Sequence, residues 1–208
     1  MRVAVITANI GNFDNVEPLP PQTVPFDYYC FTEENLPFPL SALSNRMKGK
    51  FCKFQAHKIF GYDWYIWIDG RIEVTSDRFI EDIINSGANV VCTPHPVRAT
   101  TGAEYDWMIT NYNEYLSSRY TLEGLKEESE LIPTGIPLLS GFFFAYKKSQ
   151  SVLFDKIWLN VIRYSDFDQG FVSYILEGTK QIDWRNYFRI RKHKDVEDKF
   201  GGKVYCYE

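Results

Sequence analysis

The chain has 208 residues, 45% of them hydrophobic, which is enough to bury one full core and calls for no second domain. Its net charge of −4 and pI near 5.5 exclude the overall basic field of a protein held on nucleic acid by the phosphates, leaving room only for a local basic patch. The aromatic share of 17%, with 14 Tyr and 16 Phe, supplies ring surface both for packing and for stacking on a ligand.

Val3 to Ala8 reads as a buried strand, and Asn9-Ile10-Gly11-Asn12 after it reads as a turn whose backbone can approach a ligand. Pro18, Pro20, Pro21 and Pro25 forbid helix over 14–25, so that stretch is an extended surface loop. Phe26 to Phe31 is a second, aromatic strand ending in Thr32-Glu33-Glu34. After a second proline-containing loop at 35–40, the spacing of Cys52, Ala56, Ile59 and Phe60 predicts a helix over 50–60. Lys50, Lys53 and His57 fall on one face of it, either solvated or turned toward a bound anion. Tyr65 to Ile68 is an unbroken run of β-branched and aromatic residues, as in a strand buried on both faces, and it ends in Asp69-Gly70-Arg71.

Further on, Ser76 or Asp77 can cap a helix that runs to about Asn85 and stops at Gly87. Ala88 to Thr93 is another buried strand, delivering His95 and Arg98 in a loop stiffened by Pro94 and Pro96. Residues 102–118 and 121–130 are helical, with Glu104 near a helix start, where a carboxylate also suits the dipole. Leu138 to Tyr146 is the most apolar strand. Ser140-Gly141 interrupts it, pointing to a bulge or a close approach. Ser151 to Tyr164 is amphipathic helix, and Asp168 opens or caps a last helix through Leu176. The tail from Trp184 to Lys194 gathers Arg185, Arg189, Arg191, Lys192, His193 and Lys194.

This order describes an α/β fold: one domain, residues 1–208, with a mostly parallel central sheet flanked by helices. In such a sheet ligands bind beyond the carboxyl ends of the strands, where Asn9, Thr32 with Glu33, Asp69 with Arg71, and His95 with Arg98 would converge. Cys30, Cys52, Cys92 and Cys206 have no paired spacing and read as reduced thiols. No apolar run reaches the roughly 18 residues of a membrane span, and the first nine residues are too short for a leader, so a cytoplasmic protein without an integral membrane segment is expected. Glycine-rich phosphate loops, a Gly-x-Ser-x-Gly elbow and His-Glu-x-x-His are all missing, which removes dehydrogenase, P-loop, serine hydrolase and zinc peptidase readings.

The set Lys50-x-x-Lys53-x-x-x-His57, Tyr65-Ile66-Trp67-Ile68-Asp69-Gly70-Arg71-Ile72-Glu73, His95-Pro96-x-Arg98 with Glu104, and Asp168-Gln169 resembles a glycosyltransferase-like family of plants and bacteria. Some plant members of that family carry an alkaline ceramidase name, and others are linked to cell-wall and mucilage polysaccharides. Phe26 to Glu33 is similar to its second strand, where the last position is more often Asp. The resemblance implies a GT-A-like fold that moves a hexosyl or pentosyl group from a nucleoside diphosphate sugar, a UDP-sugar foremost, to a hydroxyl acceptor such as a glycan. Transfer to a modified DNA base, or nucleotide or sugar binding without catalysis, are the alternatives.

GT-A enzymes usually carry Asp-x-Asp where this chain has Asp69-Gly70-Arg71, and an arginine cannot hold a metal although it can pair with phosphate directly. Mn²⁺ or Mg²⁺ would then need Asp69 with His193. By the same resemblance Asn9, Thr32 and Glu33 face the base and ribose, and Asp69 and Gly70 the ribose or metal. Lys53, His57, Arg71 and Arg191 would hold the diphosphate, with His95 and Arg98 nearby. Asp168, beside Gln169, contacts the acceptor or takes its proton, with Glu104 as the competing base.

Overall fold

The computed structural model describes residues 1–12, 14, 16–37, 40–116, 120–164 and 167–191. Six strands make the main sheet: β1 (Val3–Ala8), β2 (Asp27–Phe31), β3 (Trp64–Ile68), β5 (Val90–Pro94), β6 (Leu139–Lys147) and β7 (Lys180–Gln181), in the order β2-β1-β3-β6-β5-β7. Five run the same way and β6 runs against both its neighbours. β4 (Ile72–Val74) and β8 (Phe188–Ile190) form a separate antiparallel pair. Helices α1 (Asn45–Ile59), α2 (Phe79–Ile84), α3 (Thr101–Thr110), α4 (Leu122–Leu131), α5 (Ser151–Arg163) and α6 (Gln169–Ile175) complete the architecture. Among the described residues no helix is long and apolar enough to cross a membrane.

The period-two geometry of a strand explains why β3 is apolar throughout. Tyr65 and Trp67 enter one core with Phe54, Phe144 and Phe154 of α1, β6 and α5, while Trp64, Ile66 and Ile68 enter a second core with Phe79, Ile80 and Phe188. Both faces of the sheet are thereby covered. Burial pushes the Cys52 and Cys92 thiols up to about 12, leaving them inert core residues.

The structure departs from the expected elements in several places. α1 starts five residues early, at Asn45, because Ser44 caps it by accepting from the Met47 N–H at 3.2 Å. It is also kinked: Gln55 has φ −115° and ψ 15°. α2 is shorter than expected, and neither Ser76 nor Asp77 caps it. Instead Gln22 of the proline-containing loop reaches across, its Oε1 accepting from the Ile80 N–H at 3.2 Å. α3 ends at Thr110 and gives way to a π-helical turn at Tyr112–Leu116. Asp168 does sit at the N-cap position of α6, yet its side chain makes no capping bond.

Candidate functional site

A cavity of about 270 Å³ opens at the carboxyl ends of the parallel strands. Because β6 is antiparallel, its beginning lies at that same end, so Ser140 and Gly141 join Asp69, Gly70, Arg71 and His95 in the lining. α1 contributes Arg46, Lys50 and Lys53 from one side, and Asp168 with Gln169 close another. Four cations (Arg46, Lys50, Lys53, Arg71) thus face three carboxylates (Asp14, Asp69, Asp168), a balance that suits an anionic ligand.

The Asp69 turn is held from several directions. Trp67 Nε1 donates to Asp69 Oδ1 at 2.8 Å, the Asp69 N–H donates to the Phe142 carbonyl at 2.9 Å, and the Ile72 N–H closes the turn on the Asp69 carbonyl at 2.9 Å. Gly70 sits in a crowded place: a Cβ there would stand 2.9 Å from Asp14 Oδ2 and 3.1 Å from Val16 Cγ2, so those side chains would have to shift. The Arg71 guanidinium makes no ion pair or hydrogen bond among the described residues, while its backbone carbonyl accepts from the Arg191 N–H at 3.0 Å.

Opposite lies a buried triad: Lys50 Nζ is 2.6 Å from Asp168 Oδ1, and Lys53 Nζ is 2.6 Å from Asp168 Oδ2. Burial alone would raise the Asp168 carboxyl, but the two ammonium groups outweigh it and hold the carboxyl well below the usual carboxylate range. Burial also pushes Lys50 down to about 8, against the pull of Asp168. What approaches Gly141, as its break in an apolar strand implied, is Lys53: a Cβ there would come within 3.2 Å of Nζ.

His95 is a neutral donor. Its Nδ1 accepts from the N–H groups of Arg98 at 2.9 Å and Val97 at 3.3 Å, which puts the proton on Nε2. Burial, Arg98 and Arg71, in that order, push its pKa down to about 3.

Of the residues expected at the site, Lys53, Asp69, Gly70, Arg71, His95, Asp168 and Gln169 line one cavity. Others are engaged elsewhere. The Asn9 amide ties the loop, donating to the Asp14 carbonyl at 2.8 Å and accepting from its N–H at 2.9 Å. The Thr32 N–H donates to Asn35 Oδ1 at 2.7 Å, and Glu33 accepts from the Gly11 N–H. Arg98 is bonded to buried Glu104 and stacks over Trp107 at 4.4 Å, which leaves neither member facing the cavity. Arg191 spends its guanidinium on Glu17 at 3.1 Å and the Gly70 carbonyl at 3.0 Å. His193 lies outside the described residues.

His57 lies on the same side of α1 as Lys53 but one turn further along, beyond the cavity. Its ring meets Tyr146 Oη at 3.1 Å and Asp155 Oδ1 at 3.0 Å, joining α1 to α5. His57→Ala should therefore cost about 1–2 kcal/mol of stability in melting curves and leave nucleotide affinity unchanged in calorimetry.

Lys50, on the helix face that the sequence offered to a bound anion, also lines the cavity, as do Arg46, Asp14, Trp67 and Ser140, to which the sequence gave no ligand role. Lys50 had a signal, its spacing of three from Lys53, whereas nothing in the chain ties Arg46 or Asp14 to the site. Asp69 and Asp14 are the carboxylates nearest a metal role, but among the described residues no three His, Cys, Asp or Glu side chains gather as a donor set. His193, the ligand expected beside Asp69, lies outside the described residues, and Asp69 with phosphate oxygens of a bound diphosphate would be the group to hold such an ion.

No family model and no curated protein matches the chain, so the resemblance to the plant and bacterial family rests on its motifs. Solved structures do match. A bifunctional glycosyltransferase, WbbM, overlays with a TM-score of 0.50 at 12% identity, covering 86% of this chain and 38% of that one. The galactosyltransferase LgtC, complexed with donor and acceptor sugar analogues, gives 0.48 at 8% identity, covering 88% and 74%. Mouse xyloside xylosyltransferase 1 gives 0.41 at 14%, covering 87% and 72%. The chain spans well under half of WbbM. With its mixed, mostly parallel sheet between helices, it has the α/β fold of GT-A glycosyltransferases.

Proposed function

We propose that the chain transfers a glycosyl group from a nucleoside diphosphate sugar, a UDP-sugar foremost, to a hydroxyl group of a glycan. The observation that supports this best is the cavity: a polar hollow at the ends of parallel strands, with cations in excess, on a sheet of the glycosyltransferase kind.

In the transfer, the bond from the sugar's C1 to the β-phosphate oxygen breaks and its electron pair stays on the phosphate. The acceptor oxygen bonds to C1, and its proton passes to an oxygen of the departing diphosphate, which the released electron pair makes basic. Charge thus accumulates on the leaving diphosphate, and Arg71, with a guanidinium uncommitted among the described residues, is assigned to neutralise it. That is the service a divalent ion would supply if one were bound. Lys50 and Lys53 add positive potential from the facing wall, and His95 can donate one hydrogen bond from Nε2 without carrying charge. Neither Asp168 nor Glu104 is assigned to proton removal, because both are committed to cations. Asp168 instead anchors the two lysines.

Calorimetry with UDP, GDP, CDP and ADP tests the reading. At least one should bind roughly tenfold tighter than its free nucleoside, the ~1.4 kcal/mol expected of a single charge-assisted contact. Equal affinities for all four pairs would refute it.

A further inference from the structure

Arg191 follows directly on β8 and grips the Asp69–Ile72 turn without itself lining the cavity. Its N–H donates to the Arg71 carbonyl at 3.0 Å, one η nitrogen donates to the Gly70 carbonyl at 3.0 Å, and the other meets Glu17 Oε1 at 3.1 Å. Gly70 is also crowded by the side chains of Asp14 and Val16, which a Cβ there would force to shift. The turn is therefore clamped between the proline-containing loop and a guanidinium that is itself fastened to that loop. A carbonyl capped in this way cannot rotate, and the peptide that carries Gly70 into Arg71 is fixed with it.

We infer that Arg191 is a positioning residue for Arg71: it acts through the Gly70 carbonyl to aim the Arg71 side chain into the cavity, and through Glu17 it ties that turn to the proline-containing loop. The inference rests on the proposed role of Arg71 toward a diphosphate. It also reverses the expectation that Arg191 touches the ligand.

A double-mutant cycle separates the possibilities, with the tightest binder among UDP, GDP, CDP and ADP as probe. Arg191→Ala should weaken that probe by roughly tenfold, as losses of supporting contacts commonly do, and by less than about twofold when Arg71 is already alanine. Arg191→Lys should restore little, because an ammonium cannot reach Gly70 and Glu17 together. Glu17→Gln removes the charge but keeps an acceptor, so it should cost only about two- to threefold and again vanish in the Arg71→Ala background. It serves as the test should Arg191→Ala fail to fold.

An equal loss in both backgrounds would mean that Arg191 contacts the ligand or merely supports the fold, and would overturn the inference. So would unchanged affinity on losing Arg191. If Arg71→Ala itself leaves affinity untouched, the role given to Arg71 fails first, and this inference falls with it.

Discussion

Replacing Arg71 by alanine is expected to cut glycosyl transfer by roughly 10²–10³, the usual effect of removing one preorganised group that stabilises developing charge. The reason is positional. By the motif resemblance Arg71 takes the place of the second carboxylate of Asp-x-Asp, it lines the cavity, and among the described residues no side chain pairs with it. Arg71→Lys should recover only part of the loss, since the charge survives and the bidentate fork does not. Rates measured with a panel of UDP- and GDP-sugars, with and without EDTA, decide the matter. Turnover that survives chelation but collapses in Arg71→Ala supports the arginine. Turnover abolished by EDTA and restored by Mn²⁺, with Arg71→Ala unaffected, assigns the charge to a metal instead.

Asp168→Asn should be the most destabilising isosteric change at the site, at roughly 3–5 kcal/mol, or a fall in Tm of about 10 °C. It leaves two buried ammonium groups without their shared counter-ion. The pH dependence follows from the same groups. The depressed Asp168 carboxyl contributes stability that is present above about pH 3.9, its unfolded value, and is lost as pH falls through the lower folded value. Lys50 acts in the same direction at higher pH, as the relief of a cost rather than the gain of a contact. Its pKa of about 8 lies below the unfolded value near 10.4, so the folded state binds fewer protons and stability from this group rises as pH climbs between the two. The Asp168→Asn deficit should therefore be smaller at pH 9 than at pH 7, and Lys50→Met in that background should recover part of it. Melting curves at the two pH values test this. A deficit independent of pH and untouched by Lys50→Met would show that the triad is not its source.

Much of this site was legible because strand composition and strand ends are local properties. Tyr65 to Ile68 announces a strand buried on both faces, and the residue after it must emerge at an edge. The break at Ser140-Gly141 likewise signals a bulge or a close approach, and the Lys53 ammonium supplies the second. Direction, however, is not written in composition: nothing in Leu139 to Lys147 says that β6 runs against its neighbours. That reversal brings its start, rather than its end, to the cavity.

Lys53 and His57 do share a face of α1, packing on Phe144 and Tyr146 of β6, but a helix face is longer than the cavity, and spacing alone does not say which turn of it reaches the ligand. Asn9, Glu33 and Arg98 were placed near the right end of the sheet, but a polar side chain at a strand end can tie loops as readily as it can bind ligand. Only the partners decide between the two. The short strands β4, β7 and β8, two or three residues each, fall below the length at which alternation is detectable.

The central place of β6 bears on how the protein is made. β3, every residue of it buried, lies between β1 and β6, and β6 begins only at Leu139. Until the ribosome has delivered that segment, a nascent chain holding β2, β1 and β3 carries a bare, wholly apolar edge with unpaired amides, the kind of edge that recruits other chains. Synthesis that stalls before residue 139 therefore yields a template for aggregation rather than a folded half. The late strand acts as a built-in shield for the early ones.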